Sequence, residues 1–149
     1  MTAASFLTAV KVGRRSWRGE SRYDQPFDPI MNNPTQPLQQ HHKHCDDLFA
    51  TAEARAHALD WPACQEASEK FLGELEAHFA TEEQVLFPAF EAATGMSGGP
   101  TQVMRMEHAQ MRELMAQMGA ALKQRDRDAF AGVADTLLIM MQQHNMKEE

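Results

Sequence analysis

His78-Phe79-Ala80-Thr81-Glu82-Glu83 and His144-Asn145-Met146-Lys147-Glu148-Glu149 are two copies of one pattern, set 66 residues apart. A spacing of four residues is about one helical turn, so each histidine shares a face with its first glutamate. The same offset carries His42 onto His108, Leu48 onto Leu114 and Phe49 onto Met115. In each half of the repeat the first histidine precedes the second by 36 residues. Each half therefore reads as a helical hairpin. Its first helix supplies one histidine and its second supplies His-x-x-x-Glu. Two such hairpins make an all-α, up-down-up-down antiparallel four-helix bundle.

Working outward, the first helix is expected from about Leu38 to Leu59 and the second from about Pro62 to Phe90. Asp60 is the cap candidate between them, with Pro62 in the first turn. Pro88 should kink or end the second helix, because it lacks an N–H and its ring clashes with the preceding turn. The third helix runs from about Pro100 to Lys123, and Asp126 or Asp128 caps a fourth that continues to the end. Helical spacing puts Phe71, Leu75, His78, Glu82 and Val85 on one inward stripe of the second helix. The third presents Met104, His108, Met111, Met115, Met118 and Leu122, and the fourth Phe130, Val133, Leu137, Met141, His144 and Glu148. Three histidines and two glutamates thus face the core, where an unpaired carboxylate costs several kcal/mol.

Helix rise sets the levels. His42 and His78 both lie about 27 Å from the first inter-helix turn, and His108 and His144 are similarly matched about the second. Four imidazoles and two carboxylates in one layer form a site for a pair of metal ions, with carboxylates bridging and imidazoles terminal. On helix one, periodicity alone admits His41 or His42, while His44 fits worse. The repeat selects His42. Glu83 and Glu149 fall off the stripe and are read as solvated, as are His41, His44 and His57. Glu107 is either a partner that orients His108 or a member of an exposed ion pair. Cys45, one turn below His42, lines the pocket.

Composition limits the rest. The chain has 149 residues, a net charge of -7, seven histidines and two cysteines. The negative balance argues against nucleic acid, which needs a basic patch. No apolar run approaches the roughly 20 residues of a membrane span. Cys45 and Cys64 fall about 16 Å apart by helix rise, too far for a disulfide, and suit a reducing cytoplasm. Residues 1–37 read as a disordered or extended tail, basic over the first thirty, with Met31 as an alternative start. The chain stops one residue after Glu148, which suggests truncation and a fraying last turn. A version longer by a turn or two should hold metal better.

His42-x-x-x-Asp46-x-Leu48-Phe49, His78-x-x-x-Glu82-Glu83-x-x-Leu86-Phe87-Pro88, Glu107-His108 and His144-x-x-x-Glu148-Glu149 resemble the motifs of hemerythrin-like, HHE cation-binding proteins over about residues 38–149. The resemblance implies a non-haem di-iron centre, oxo-bridged in one of its forms, held by His42, His78, Glu82, His108, His144 and Glu148. Two departures set this chain apart from oxygen carriers. Arg112 stands where they have a second helix-three histidine, and Glu148 follows His144 by four residues where they have an aspartate at five. The set of four histidines and two glutamates is more similar to the iron-centre-repair branch, whose cysteine-bearing N-terminal domain this chain lacks. The leading expectation is binding of O2, NO or a related small oxidant for sensing, storage or protection. Ranked below it are redox chemistry at the same irons (peroxide or NO reduction, iron donation to damaged clusters), a ferritin-like ferroxidase, and a structural zinc or manganese site.

Overall fold

Asp60 and Asp126 start the second helix of each hairpin in the same way. Asp60 Oδ1 accepts from the Ala63 N–H at 3.3 Å, and Asp126 Oδ1 accepts from the Ala129 N–H at 3.0 Å. Each satisfies a backbone donor that a helix start leaves unpaired. Of the two candidate caps before the last helix, Asp126 is the one used. One residue before each aspartate the backbone turns left-handed, at Leu59 (φ 58°) and Arg125 (φ 53°), which reverses the chain.

The computed structural model describes residues 36–148. Of the tail expected over residues 1–37, residues 1–35 lie outside the described residues, as does the chain end at Glu149, while Gln36 and Pro37 already belong to the first helix. The elements are α1 (Gln36–His57), α2 (Trp61–Thr81), a π-helical turn (Glu82–Leu86), α3 (Phe87–Thr94), α4 (Pro100–Gln124) and α5 (Arg127–Glu148). α2, the π turn and α3 form one continuous rod, so the architecture is a four-helix bundle. α1 packs on α2 and α5, and α4 packs on α2 and α5. Among the described residues no helix is long and apolar enough to cross a membrane.

Pro88 neither ends the rod nor leaves it regular. Its missing N–H and its ring would break the α-helical pattern one turn earlier. The wider π turn takes up the mismatch: the Phe87 N–H bonds to the Glu82 carbonyl, five residues back. The helix then continues to Thr94, past the Phe90 end expected from sequence. The extra residue shifts the buried stripe. Val85, expected in the core, is 59% exposed, and the next buried residue after Glu82 is Phe87.

α3 ends at Gly95, whose N–H bonds to the Glu91 carbonyl with φ at 73°. A side chain is strained in that left-handed conformation. Gly95→Ala is expected to cost about 1 kcal/mol, read as a lower denaturant midpoint with unchanged slope. A Cβ there meets nothing within 4 Å, so the cost lies in the backbone alone.

Two apolar clusters enclose the histidine layer. The larger one contains Cys45, Phe49, Phe71, Leu75, Phe79, Met111, Met118, Phe130, Leu137 and Met141. The smaller one, of Phe87, Phe90 and Met104, closes the loop end. The remaining inward residues follow the expected stripes, with Met115, Leu122 and Val133 partly buried.

Candidate metal centre

Four helical segments bring His42, His78, Glu82, His108, His144 and Glu148 into one layer, and all six are buried. His42 comes from the start of α1, His78 from the end of α2, His108 from α4 and His144 from α5. The carboxylates stand between two histidine pairs. Glu82 places Oε1 2.9 Å from His78 Nε2, and Oε2 3.0 Å from His108 Nε2 and 3.6 Å from His144 Nε2. Glu148 places Oε2 3.2 Å from His42 Nε2 and 3.9 Å from His78 Nε2, and Oε1 3.1 Å from His144 Nε2.

Two overlapping groups result, each able to hold a cation. One is His42, His78, Glu82 and Glu148. The other is His108, His144, Glu82 and Glu148. Both glutamates belong to both groups, with one oxygen turned to each. Both oxygens of Glu82 and of Glu148, and Nε2 of His78, are buried without an aligned hydrogen bond among the described residues. Buried polar atoms seldom stay unsatisfied, and a mixed imidazole and carboxylate set suits a first-row transition ion. The donor set therefore fits a metal.

The surroundings of the histidines differ in part from expectation. Glu83, expected in solvent, is half-buried and places Oε1 2.8 Å from His108 Nδ1. Arg112 reaches the same carboxylate, with Nη1 donating to Oε1 at 2.8 Å, and also holds Glu76. Glu107 bonds His144, not His108: its Oε2 lies 2.9 Å from His144 Nδ1, and Lys147 donates to its other oxygen. The wide turn that begins at Glu82 explains Glu83. A flank position there reaches α4, which helical periodicity alone does not register. His41 is not a solvated side chain either. Its ring stacks on His78 at 4.9 Å, and its Nε2 lies 3.6 Å from Glu74. His44 and His57 are exposed, as expected.

His108 is sandwiched between two phenylalanines that the expected site did not include. Phe79 stacks at 4.1 Å and Phe87 at 5.6 Å between ring centroids. Phe79 could have been found from its place beside His78. Phe87 could not, because its burial depends on the π turn.

Charge follows the same geometry. Burial works against the Glu82 carboxylate, but contacts from His108, His144 and His78 outweigh it and hold the group far below the usual carboxylate range. Burial lowers His144, yet Glu148 and Glu82 overcome this and push it up to about 10. Without a metal, His144 thus carries a proton where a cation would otherwise balance the two carboxylates. Partial burial also opposes ionisation of Glu83, and Arg112 and His108 bring it below its ordinary value. Burial raises the Cys45 thiol to about 11.

A family model, the hemerythrin HHE cation-binding domain, matches residues 33–149. The chain belongs to that family. Neither the curated proteins nor the solved structures gave a match. In this HHE domain the family's cation-binding character has a concrete counterpart in the two buried groups that share Glu82 and Glu148.

Proposed function

We propose that the six residues His42, His78, His108, His144, Glu82 and Glu148 hold two non-haem iron ions, and that the protein binds O2, NO or peroxide there for sensing, storage or protection. One observation carries the reading: each shared glutamate turns one oxygen to the His42–His78 pair and the other to the His108–His144 pair. A single structural ion would need only one such group. Iron in this setting supplies electrons and a coordination position for a small oxidant. The chain's own residues do the rest. Imidazoles and carboxylates hold the ions, and Phe79, Phe87, Phe90 and Met104 keep water out. The six histidines and glutamates are all at most 6% exposed, which favours a diatomic molecule or peroxide over a larger substrate. Cys45 and Cys64 are buried free thiols, which suits a reducing cytoplasm.

The test is anaerobic purification, metal analysis and optical spectra on adding O2, NO or peroxide. Two irons and a charge-transfer band that bleaches on reduction are expected. His108→Ala should remove the band. His44→Ala and His41→Ala should keep it, since His44 is exposed and His41 Nε2 is turned to Glu74. One zinc per chain with no spectral response would overturn the proposal.

A further inference from the structure

Glu83 and Glu107 each sit next to a metal-centre residue in sequence, yet each serves a histidine on a different helix. Glu83 leaves the π turn beside Glu82 and reaches His108 on α4, at 2.8 Å from Nδ1. Glu107 leaves α4 beside His108 and reaches His144 on α5, at 2.9 Å from Nδ1. Both carboxylates are held from behind by a cation. Arg112 donates to both oxygens of Glu83 at 2.8 and 3.2 Å, and Lys147 donates to Glu107. Arg112 is fixed in turn by Glu76, and its guanidinium lies 5.4 Å from the Phe79 ring centroid.

A neutral imidazole has one N–H and one lone pair. A carboxylate at Nδ1 keeps the N–H there and leaves the lone pair on Nε2. Both Nε2 atoms of this pair then point at one spot, 3.0 Å apart. Glu82 Oε2 and Glu148 Oε1 close the same spot. Both histidines that Glu83 and Glu107 reach belong to the His108–His144 group. The flank of His78 is covered by the His41 ring instead.

We infer that Glu83 and Glu107 are positioning residues that set the affinity of the His108–His144 half of the centre and leave the other half unchanged. The inference rests on the metal reading above. Each carboxylate fixes the tautomer and orientation of its histidine and makes it a stronger donor, and Arg112 and Lys147 keep the carboxylates in place.

The experiment uses the full chain, stripped of metal and titrated with Co2+ under anaerobic conditions, with absorbance and calorimetry followed together. The wild type is expected to take up two ions. Glu83→Ala or Glu107→Ala should weaken one uptake step by about 10–100-fold and leave the other as it was. Glu83→Gln, which keeps an acceptor oxygen, should recover part of the loss. Arg112→Ala, whose site lies outside the buried layer, should weaken the same step by a smaller factor. In the metal-free chain, nitrogen NMR of the imidazoles should show the Nδ1–H form of His108 in the wild type and a tautomer mixture in Glu83→Ala. That change has no counterpart in a purely structural role. Equal weakening of both steps overturns the inference, as does unchanged uptake in folded variants. A wild type that takes up no cobalt overturns the metal reading itself, and the inference with it.

Discussion

Glu82→Gln is expected to reduce bound metal from two ions to fewer than one per chain, the largest loss from any single conservative change in the protein. Glutamine keeps the shape of the side chain but puts an NH2 group where one carboxylate oxygen stood. Glu82 is within 3.0 Å of an imidazole nitrogen on each side, so a donor group on either oxygen spoils one half of the centre. The lost negative charge weakens both halves. Removing one partner of a buried, mutually compensating set costs about 3–5 kcal/mol, or roughly two to four orders of magnitude in affinity. Stability of the metal-free chain should fall as well, because burial of the Glu82 carboxylate is outweighed by His108, His144 and His78, and glutamine takes their anionic partner away. Metal analysis after gel filtration and thermal melts in chelator check the two halves. A Glu82→Gln protein that keeps two ions would show that the carboxylate does not bridge.

Much of this was readable from residue numbers because a helix converts sequence spacing into direction and height. The 66-residue offset and the 1.5 Å rise sufficed to place His42, His78, His108 and His144 at one level. The same logic gave His42 over His41; His42 is buried in the layer, and the His41 ring lies beside it, stacked on His78. It failed where the helix is not α. Pro88 was recognisable as a disturbance, but a proline can be met by a kink, a stop or a π turn, and the choice depends on what the following residues can bury. Here Phe87 and Phe90 bury fully and Val85 is turned outward. Contacts of long side chains on the flanks were also illegible. Glu83 and Glu107 are off the stripe, yet a glutamate has enough reach to meet a histidine on the next helix. Periodicity states which face a residue is on and leaves open which neighbour a flank residue finds.

Removing the metal with chelator is expected to lower the melting temperature by roughly 15 °C, the largest stability change open to the protein without mutation. Folding gathers two carboxylates and four imidazoles in a layer where all six are at most 6% exposed. Metal ions that bind this arrangement and not the unfolded chain add about 4 kcal/mol at a thousandfold excess over Kd. For a domain of this size about 4 °C per kcal/mol is typical. The effect should also be local. The layer sits between the main core and the small Phe87–Phe90–Met104 cluster, with α3, the loop to α4 and the start of α4 beyond it. Chelation should therefore speed hydrogen exchange in α3 and at the start of α4 before it does so around Phe130 and Phe49, which belong to the larger core. Melting temperatures that match with and without chelator, in a protein shown to hold two ions beforehand, would mean the layer is satisfied by its own protons. Burial lowers His144 but Glu148 and Glu82 raise it further, so a proton held there is that competing term. A proton shared among His144, Glu82 and Glu148 is a single charge against two carboxylates, whereas two divalent ions supply four. The cation-bound layer is therefore the better-compensated one, and the melting difference measures by how much.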